Sequence, residues 1–220
     1  MTAVGAVLLH TSPAHVPVFD ALRDRNHPGA VLRHLVVPQL LARARVEGPE
    51  AVAPALLEVL AGAVARAAVP VLVTCSTIGA TAESLAPELG VPVLRVDRPM
   101  AAAAVAAGRR MAVLATVEST FAPTCELLAE EAGERPLSIS RHLVPGAWER
   151  FEAGDIAGNL ALVAAAADAL APAEADVIVL AQASMAGAAD LVTTRIPVLS
   201  SPARGLAAVL GPQPSRAGES

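Results

Sequence analysis

Short apolar segments alternate with longer alanine-rich segments along almost the whole chain. The short segments predict buried strands at residues 3–9, 31–36, 70–74, 92–96, 111–115, 138–143, 176–180 and 197–199. The longer segments predict helices at residues 14–25, 49–67, 79–88, 98–107, 118–132, 154–171 and 185–193. Strands that alternate with helices in this way are typical of a parallel sheet with crossover helices, so we expect an α/β fold.

Two pairs of strand segments repeat with nearly the same spacing. The first pair is 7–11 (Val-Leu-Leu-His-Thr) and 112–116 (Ala-Val-Leu-Ala-Thr), 105 positions apart. The second pair is 71–75 (Val-Leu-Val-Thr-Cys) and 178–182 (Ile-Val-Leu-Ala-Gln), 107 positions apart. The repeat predicts two similar α/β lobes whose equivalent strands end at one cleft. We place residues 1–97 plus about 198–220 in the first lobe and residues 98–197 in the second.

Composition and charge limit the kinds of molecule that we expect this protein to bind. A hydrophobic fraction of 54% supplies a core, and a net charge of −5 without any lysine- or arginine-rich run argues against nucleic acid. No apolar segment reaches the roughly 18–20 residues of a membrane span, and the N-terminal segment is more typical of a strand than of a signal peptide. We expect a cytoplasmic protein, and its alanine-rich helix surfaces are compatible with a homo-oligomer. No sequence pattern requires a metal, a nucleotide or pyridoxal phosphate.

Cys75 occupies the point where the predicted strand 70–74 ends. It is flanked by Thr74, Ser76 and Thr77, and a helix is predicted to follow. In an open α/β sheet, ligands bind at the carboxyl ends of the strands. Hydroxyls and the N–H groups at the start of a helix suit an anionic ligand. A thiol in such a place can form a thiolate, which acts as a base or nucleophile. The alternative interpretation is a small buried hydrophobic residue.

Six short segments occur in a fixed order along the chain. They are 8–12 (Leu-Leu-His-Thr-Ser), 74–79 (Thr-Cys-Ser-Thr-Ile-Gly), 91–97 (Val-Pro-Val-Leu-Arg-Val-Asp), 111–116 (Met-Ala-Val-Leu-Ala-Thr), 119–124 (Ser-Thr-Phe-Ala-Pro-Thr) and 176–186 (Asp-Val-Ile-Val-Leu-Ala-Gln-Ala-Ser-Met-Ala). With this order and spacing, the chain resembles the aspartate/glutamate/hydantoin racemase superfamily over roughly residues 4–200. That superfamily also includes maleate isomerases and arylmalonate decarboxylases. The resemblance implies two pseudo-symmetric α/β lobes with the active site in the cleft between them.

The resemblance also implies chemistry without a cofactor on a small carboxylate, such as an amino acid or a dicarboxylate. Racemases of the superfamily use two cysteines, one from each lobe, on opposite faces of the substrate α-carbon. Cys75 falls on the first of these positions, whereas Gln182 stands at the second. Family positions for the substrate carboxylate fall on Thr11, Ser76, Thr77 and Thr116. Gln182 is open to two interpretations: a hydrogen bond to the substrate carboxylate, or one to backbone groups at the strand end.

The loss of the second thiol leaves several chemistries open, because glutamine neither accepts nor donates a proton in this role. A one-thiol enzyme can protonate a carbanion from one face, as in arylmalonate decarboxylases, although those keep the cysteine of the other lobe. Cys75 can instead attack an activated double bond, as in maleate isomerases. Another titratable residue can replace the thiol, and we consider His10 and His142. The last alternative is a non-catalytic carboxylate-binding protein.

Other polar residues have simpler interpretations. Cys125 lies inside the predicted helix 118–132, where packing is the expected role. Three histidines, His15, His27 and His34, fit no pattern and are expected at polar surface positions.

Overall fold

The computed structural model describes residues 5–211. Its strands are β1 (Ala6–His10), β2 (Leu32–Val36), β3 (Val71–Val73), β4 (Val93–Arg95), β5 (Arg110–Ala115), β6 (Ser138–Leu143), β7 (Val177–Leu180) and β8 (Val198–Ser200). Its helices are α1 (His15–Asn26), α2 (Pro38–Glu47), α3 (Ala53–Val64), α4 (Ser76–Ser84), α5 (Ala86–Leu89), α6 (Arg98–Ala107), α7 (Phe121–Ala132), α8 (Ala147–Glu152), α9 (Ile156–Asp168) and α10 (Pro202–Leu210). Short 3₁₀ segments cover Glu50–Val52, Glu118–Thr120 and Ala183–Asp190.

The strands form two four-stranded sheets with equivalent strand orders. The first sheet is ordered β2-β1-β3-β4 and the second β6-β5-β7-β8. Every neighbouring pair is parallel. The repeat in the sequence therefore corresponds to β1 with β5 and to β3 with β7. The expected α/β class and the two pseudo-symmetric lobes are confirmed.

The central strands are almost entirely apolar because helices cover both faces of each sheet; the exceptions, His10 of β1 and Arg110 of β5, lie at strand ends. All residues of β1, β3 and β7 are buried. Alternate residues of these strands enter separate apolar clusters on the two faces, as Leu8 and Leu9 do in the first lobe. The edge strand β6 carries only half-buried and exposed residues. This difference follows from the architecture, since a strand covered on both faces needs apolar side chains at every position.

All eight predicted strands are present, whereas the helix prediction was incomplete. It missed α2, α8 and α10, which are short or begin at a proline. The predicted helix 79–88 starts earlier, at Ser76, and divides after Ser84, because α5 begins at Ala86 with Pro87 in its first turn. The predicted helix 185–193 is a 3₁₀ segment instead. The early start of α4 matters most, because it places Cys75 immediately before the first helical residue.

The chain returns to the first lobe at its end. β8 belongs to the second sheet, while Leu206 and Val209 of α10 pack in a cluster with β1 residues. Parts of the expected first lobe, residues 1–4 and 212–220, lie outside the described residues. Across residues 5–211, no helix is both long and apolar enough to cross a membrane.

Candidate active site

A cavity of about 700 Å³ lies between the lobes, at the carboxyl ends of the central strands. Thr11 lines it just after β1, Cys75 after β3 and Gln182 after β7. Helices α2 and α8 contribute its outer wall. In the first sheet the chain passes from β1 to β2 on one side and later adds β3 on the other side of β1. In the second sheet it passes from β5 to β6 and later adds β7 on the other side of β5. The cavity therefore occupies the position at which parallel sheets of this kind bind ligands.

Cys75 lies where the chain passes from β3 into α4. Its backbone is extended, with φ −112° and ψ 116°, and Ser76 is already the first residue of the helix. The thiol residue is buried, with 8% of its surface exposed, and it lines the cavity together with Ser76 and Thr77. The first N–H groups of a helix have no partner within the helix. The N–H groups at the start of α4 therefore lie beside Cys75 without a partner in the helix.

The two lobes are joined directly beside Cys75. The hydroxyl of Ser76 donates a hydrogen bond of 3.0 Å to the backbone carbonyl of Ala181, at the end of β7. Ser76 and Ala181 are 105 positions apart in the sequence. This bond links the first residue of α4 to the segment that carries Gln182, so it holds the two halves of the cavity floor together.

Gln182 occupies the position in the second lobe that Cys75 occupies in the first, two residues beyond the strand. Its side-chain oxygen accepts hydrogen bonds from the backbone N–H of Thr116 at 2.7 Å and from the Thr116 hydroxyl at 2.9 Å. A backbone N–H can only donate, so the oxygen of the amide faces Thr116. Among the described residues, the amide nitrogen of Gln182 has no acceptor, and it remains a donor at the cavity.

The structure brings most of the sequence-predicted site residues together. Thr11, Cys75, Ser76, Thr77 and Gln182 all line the cavity. Thr116 does not line it but holds the oxygen of Gln182. Further hydroxyls come from Thr74, Thr120 and Ser184. The floor of the cavity is therefore rich in hydroxyl groups. Those of Thr74 and Ser76 already donate to backbone carbonyls, so the donors left for an anion are the hydroxyls of Thr11, Thr77, Thr120 and Ser184.

His10 and His142, considered as replacements for the second thiol, do not line the cavity. His10 is fully buried. The Thr74 hydroxyl donates to the backbone carbonyl of Leu9 at 3.1 Å, so His10 Nδ1 must donate to Thr74 across 2.8 Å. His10 Nε2 then accepts from Nδ1 of His34 at 2.8 Å. Burial, followed by repulsion from His34 and His15 when these are charged, lowers the pKa of His10 to about 3. The ring is therefore neutral near pH 7, and its two nitrogens are both used in the hydrogen bonds to Thr74 and His34.

His142 lies on the edge strand β6, with its Nε2 2.9 Å from the hydroxyl of Ser140. The expectation that His15, His27 and His34 lie at the polar surface was wrong. His15 and His27 are buried, and His34 is half-buried against His10. Helix α1, which begins at His15 and ends just before His27, packs on the first sheet, and a histidine has no strong preference for the buried or the exposed side of such an element.

His15 is the titratable residue of the cavity that sequence reasoning missed. It is the first residue of α1, only 9% exposed, and it lines the cavity. Neither ring nitrogen has a hydrogen-bond partner among the described residues. Burial lowers its pKa to about 4, so the ring is neutral near pH 7. The available signal was its place in the first helical turn after β1, because that turn borders the ligand-binding edge of the sheet.

The outer wall of the cavity is apolar and aromatic. It includes Leu41 from α2, Trp148 and Phe151 from α8, and Ile156 from α9. The guanidinium of Arg45 lies 5.0 Å from the centre of the Trp148 ring, a cation–π contact that joins α2 to α8 across the mouth of the cavity. This wall could not be predicted from the sequence, because both helices were missed.

Charged groups are scarce around the cavity. Arg45 and Glu152 are its charged lining residues, and both are exposed. Within residues 5–211, no group of three or more histidine, cysteine, aspartate or glutamate side chains is placed to hold a metal ion. At the floor of the cavity, the groups that can donate to an anion are hydroxyls, N–H groups and the Gln182 amide.

Three solved structures illustrate the likeness of this fold to known ones. Allantoin racemase from Klebsiella pneumoniae superposes with a TM-score of 0.71 at 19% identity, over 94% of this chain and 86% of that one. Aspartate racemase from Picrophilus torridus gives 0.69 at 15% identity, over 95% and 94%. A liganded variant of arylmalonate decarboxylase gives 0.60 at 19% identity, over 96% and 93%. At these identities the likeness establishes the fold.

The sequence, as well as the fold, indicates the family of this chain. No curated protein sequence matches the chain. The model of one family, described as Asp/Glu/Hydantoin racemase, matches residues 13–209 and so covers both lobes and every cavity segment except Thr11 and Ser12. The chain therefore belongs to the Asp/Glu/hydantoin racemase family.

Proposed function

We propose that this protein is a cofactor-independent enzyme of the racemase or isomerase type that acts on a small carboxylate, with Cys75 as acid/base or nucleophile. The observation that carries the proposal is the position of Cys75 in the interlobe cavity, beside the first residue of α4 and opposite Gln182. A thiol with unpaired N–H donors beside it is well placed to react with a bound anion.

The floor of the cavity supplies the proposed carboxylate site. The N–H groups at the start of α4, the hydroxyls of Thr11 and Thr77 and the free amide nitrogen of Gln182 are all donors. The same donors suit an enediolate, the anion that forms when a proton leaves the carbon next to a carboxylate. Donors that are already in position stabilise such an anion without reorganisation at the moment of reaction. No positive charge is needed at the floor.

The outer wall of the cavity indicates which class of substrate the site can bind. A cavity of about 700 Å³ has the size of a site for a small organic molecule. Its polar floor fits one carboxylate, while Trp148 and Phe151 form an apolar surface above it. We therefore propose a small carboxylate with an apolar substituent, in preference to an amino acid or dicarboxylate with a second charged end.

A one-thiol decarboxylase is the second candidate, and Gln182 at the second thiol position favours it. Loss of carbon dioxide from a substituted malonate breaks a carbon–carbon bond and leaves its electron pair in an enediolate. The Cys75 thiol then gives its proton to the α-carbon, and solvent restores that proton. This reaction needs a proton donor on only one face of the substrate, which Cys75 alone can supply.

A binding protein without activity is the alternative from another class. An inert Gln182 among apolar residues would favour it, whereas a titratable group in the cavity favours an enzyme. Cys75 and the buried His15 both line the cavity, so the enzyme is the better-supported proposal. We further expect a cytoplasmic protein that binds neither nucleic acid nor membranes and whose alanine-rich helix surfaces are compatible with a homo-oligomer.

Turnover in deuterated water tests the proposal. The protein is incubated with 2-arylpropionates, hydantoins, maleate, amino acids and substituted malonates, and NMR follows exchange, isomerisation and decarboxylation. Cys75→Ala is expected to abolish turnover. Cys125→Ala is the matched control, because Cys125 is a half-buried thiol on α7 that does not line the cavity. Absence of turnover with every substrate, or turnover that survives Cys75→Ala, would refute the proposed thiol chemistry.

A further inference from the structure

The imidazole of His15 is buried without a hydrogen-bond partner in the described part of the chain. Leaving a buried polar group unpaired costs roughly 1–3 kcal/mol. In native proteins such groups call for an explanation, and a functional role is one of the common ones. The unpaired nitrogens of His15 belong to a ring that lines the same cavity as Cys75. A bound substrate is therefore the natural partner of this ring.

We propose that His15 is a catalytic residue of this site and forms a proton-transfer pair with Cys75, in the role that Gln182 cannot fill. The inference rests on the proposed function and names a second reacting group for it. It also replaces the earlier candidates, since His10 uses both ring nitrogens inside the first lobe and His142 lies on an edge strand away from the cavity.

The ring of His15 is held in place by packing from both lobes. Its centre lies 6.1 Å from that of His10 on β1 and 6.2 Å from that of Phe151 on α8, with an angle of 29° between the His15 and Phe151 rings. These contacts fix the ring without occupying its nitrogens. A ring that is held in place while its nitrogens keep no hydrogen-bond partner in the protein suits a proton-transfer group, because efficient transfer depends on geometry before it depends on pKa.

The charged and titratable groups around His15 come from four elements. His10 faces it from β1 and stays neutral. The cavity is also lined by Arg45 from α2, Glu152 from α8 and Cys75 from the end of β3. Arg45 and Glu152 are exposed to solvent, whereas Cys75 is buried like His15. Cys75 is therefore the group with which His15 can exchange a proton through a bound substrate.

The proposed step balances without a cofactor. A neutral nitrogen of His15 takes the proton from the substrate α-carbon, and the electron pair of the broken C–H bond moves into the carboxylate to give an enediolate. The Cys75 thiol then gives its proton to the α-carbon and forms the new C–H bond. The site is left with an imidazolium and a thiolate, and solvent carries one proton from the first to the second. The opposite charges of these groups offset the cost of charging a buried ring.

Two substitutions of His15 and one matched control test the inference. His15→Gln keeps a polar side chain, and His15→Phe keeps an aromatic ring against Phe151. The control is His27→Gln, because His27 lies at the other end of α1, is also buried with an unpaired Nδ1, and does not line the cavity. Thermal unfolding and the emission of Trp148 establish that each variant is folded.

We expect both His15 variants to lower kcat by at least about 100-fold, the usual contribution of a general acid or base, while KM changes by less than about threefold. The wild-type kcat/KM should fall in acid as His15 becomes protonated, near its pKa of about 4. The part of the acidic limb that comes from His15 should be absent from His15→Gln, whereas the part that comes from protonation of the substrate carboxylate should remain in both proteins. His27→Gln should keep the wild-type rate and the wild-type pH profile. A merely structural role for His15 would not remove the acidic limb.

The ¹⁵N resonances of the His15 ring provide a readout that does not depend on turnover. They should shift when phenylacetate binds to the Cys75→Ala protein, and the resonances of His27 should not. Turnover that depends on Cys75 but survives His15→Gln with its acidic limb would overturn this inference and leave the proposed function intact. Absence of Cys75-dependent turnover in the wild type would overturn both.

Discussion

Thr116 holds the side-chain oxygen of Gln182 with two hydrogen bonds, from its backbone N–H and from its hydroxyl. The two residues follow neighbouring central strands of the second lobe, β5 and β7. Because both bonds end on the oxygen, the amide nitrogen has no acceptor among the described residues. Gln182 is therefore a fixed donor at the position where its relatives in the superfamily are expected to carry a thiol.

We predict that Gln182→Glu weakens carboxylate binding at least about tenfold, which corresponds to about 1.4 kcal/mol. Glutamate keeps an acceptor for Thr116 but replaces the free N–H donor with a negatively charged oxygen, which repels an anion. Titration of Trp148 fluorescence with phenylacetate measures the change, since Trp148 is the one tryptophan of the chain and lines the cavity. Equal affinity in the two proteins would show that the amide nitrogen does not contact the ligand.

Gln182→Cys should create a second proton-transfer group opposite Cys75. We expect exchange of the substrate α-proton with inversion to increase at least about tenfold, because general acid–base groups contribute factors of that size or larger. Deuterium incorporation and chiral chromatography measure the two processes. The double variant Gln182→Cys with Cys75→Ala is the control, and the gain should vanish in it. A gain that persists there would mean that the new thiol acts alone.

Phe151→Ala should weaken binding of a carboxylate with an aromatic substituent by about tenfold, from the loss of roughly 50 Å² of apolar contact. Acetate, which is too short to reach the outer wall, should bind to both proteins alike. Competition titrations against Trp148 fluorescence measure both ligands. The same loss for acetate as for phenylacetate would mean that Phe151 shapes the floor of the cavity rather than its wall.

His15 should make the protein less stable in mild acid. Burial lowers its pKa in the folded state from 6.5 to about 4, so the unfolded chain binds more protons between these pH values. The contribution of His15 is complete above pH 6.5 and is lost as the pH falls towards 4. The loss is on the order of 3 kcal/mol.

Urea unfolding of the wild type and of His15→Phe, at pH 7.5 and at pH 4.5, tests whether His15 lowers the free energy of unfolding as the pH falls. The wild type should lose more of its free energy of unfolding between the two values, by roughly 2–3 kcal/mol. His10 titrates in both proteins in the same direction, and burial, the largest cause of its lowered pKa, is present in both, so most of its contribution cancels in the comparison. An equal loss in the two proteins would mean that His15 is not buried in its neutral form.

Asp97→Ala should destabilise the protein by about 3–5 kcal/mol, because it leaves a buried guanidinium without its partner. Arg95 and Asp97 are both buried and form two hydrogen bonds, at 2.7 and 3.0 Å. Arg95 also donates to the carbonyl of Pro123 in the second lobe. Glu47→Gln is the matched control, since the Arg43–Glu47 pair is exposed and its loss should leave the urea midpoint unchanged. Equal midpoints for both variants would contradict the prediction.

Much of the fold could be predicted from local sequence, because strands covered on both faces must be apolar at every position. The runs at Val71–Val73 and Val177–Leu180 are examples, and each is followed at the same distance by a polar residue, Cys75 or Gln182. The helices that close the cavity could not be predicted in this way. Only two residues of α2, Leu40 and Ala44, are buried, so its apolar pattern is weak.

The sequence by itself determined the α/β class, the two repeated lobes and the place of Cys75 at a strand end, since these depend on residues close together in the chain. Tertiary structure alone decided which side chains meet. Thr116 and Gln182 are 66 positions apart, and Ser76 and Ala181 are 105 apart. The burial of His15 likewise depends on Phe151 from the other lobe. The partners of a polar side chain are set by the packing of distant elements, and a local pattern carries no record of them.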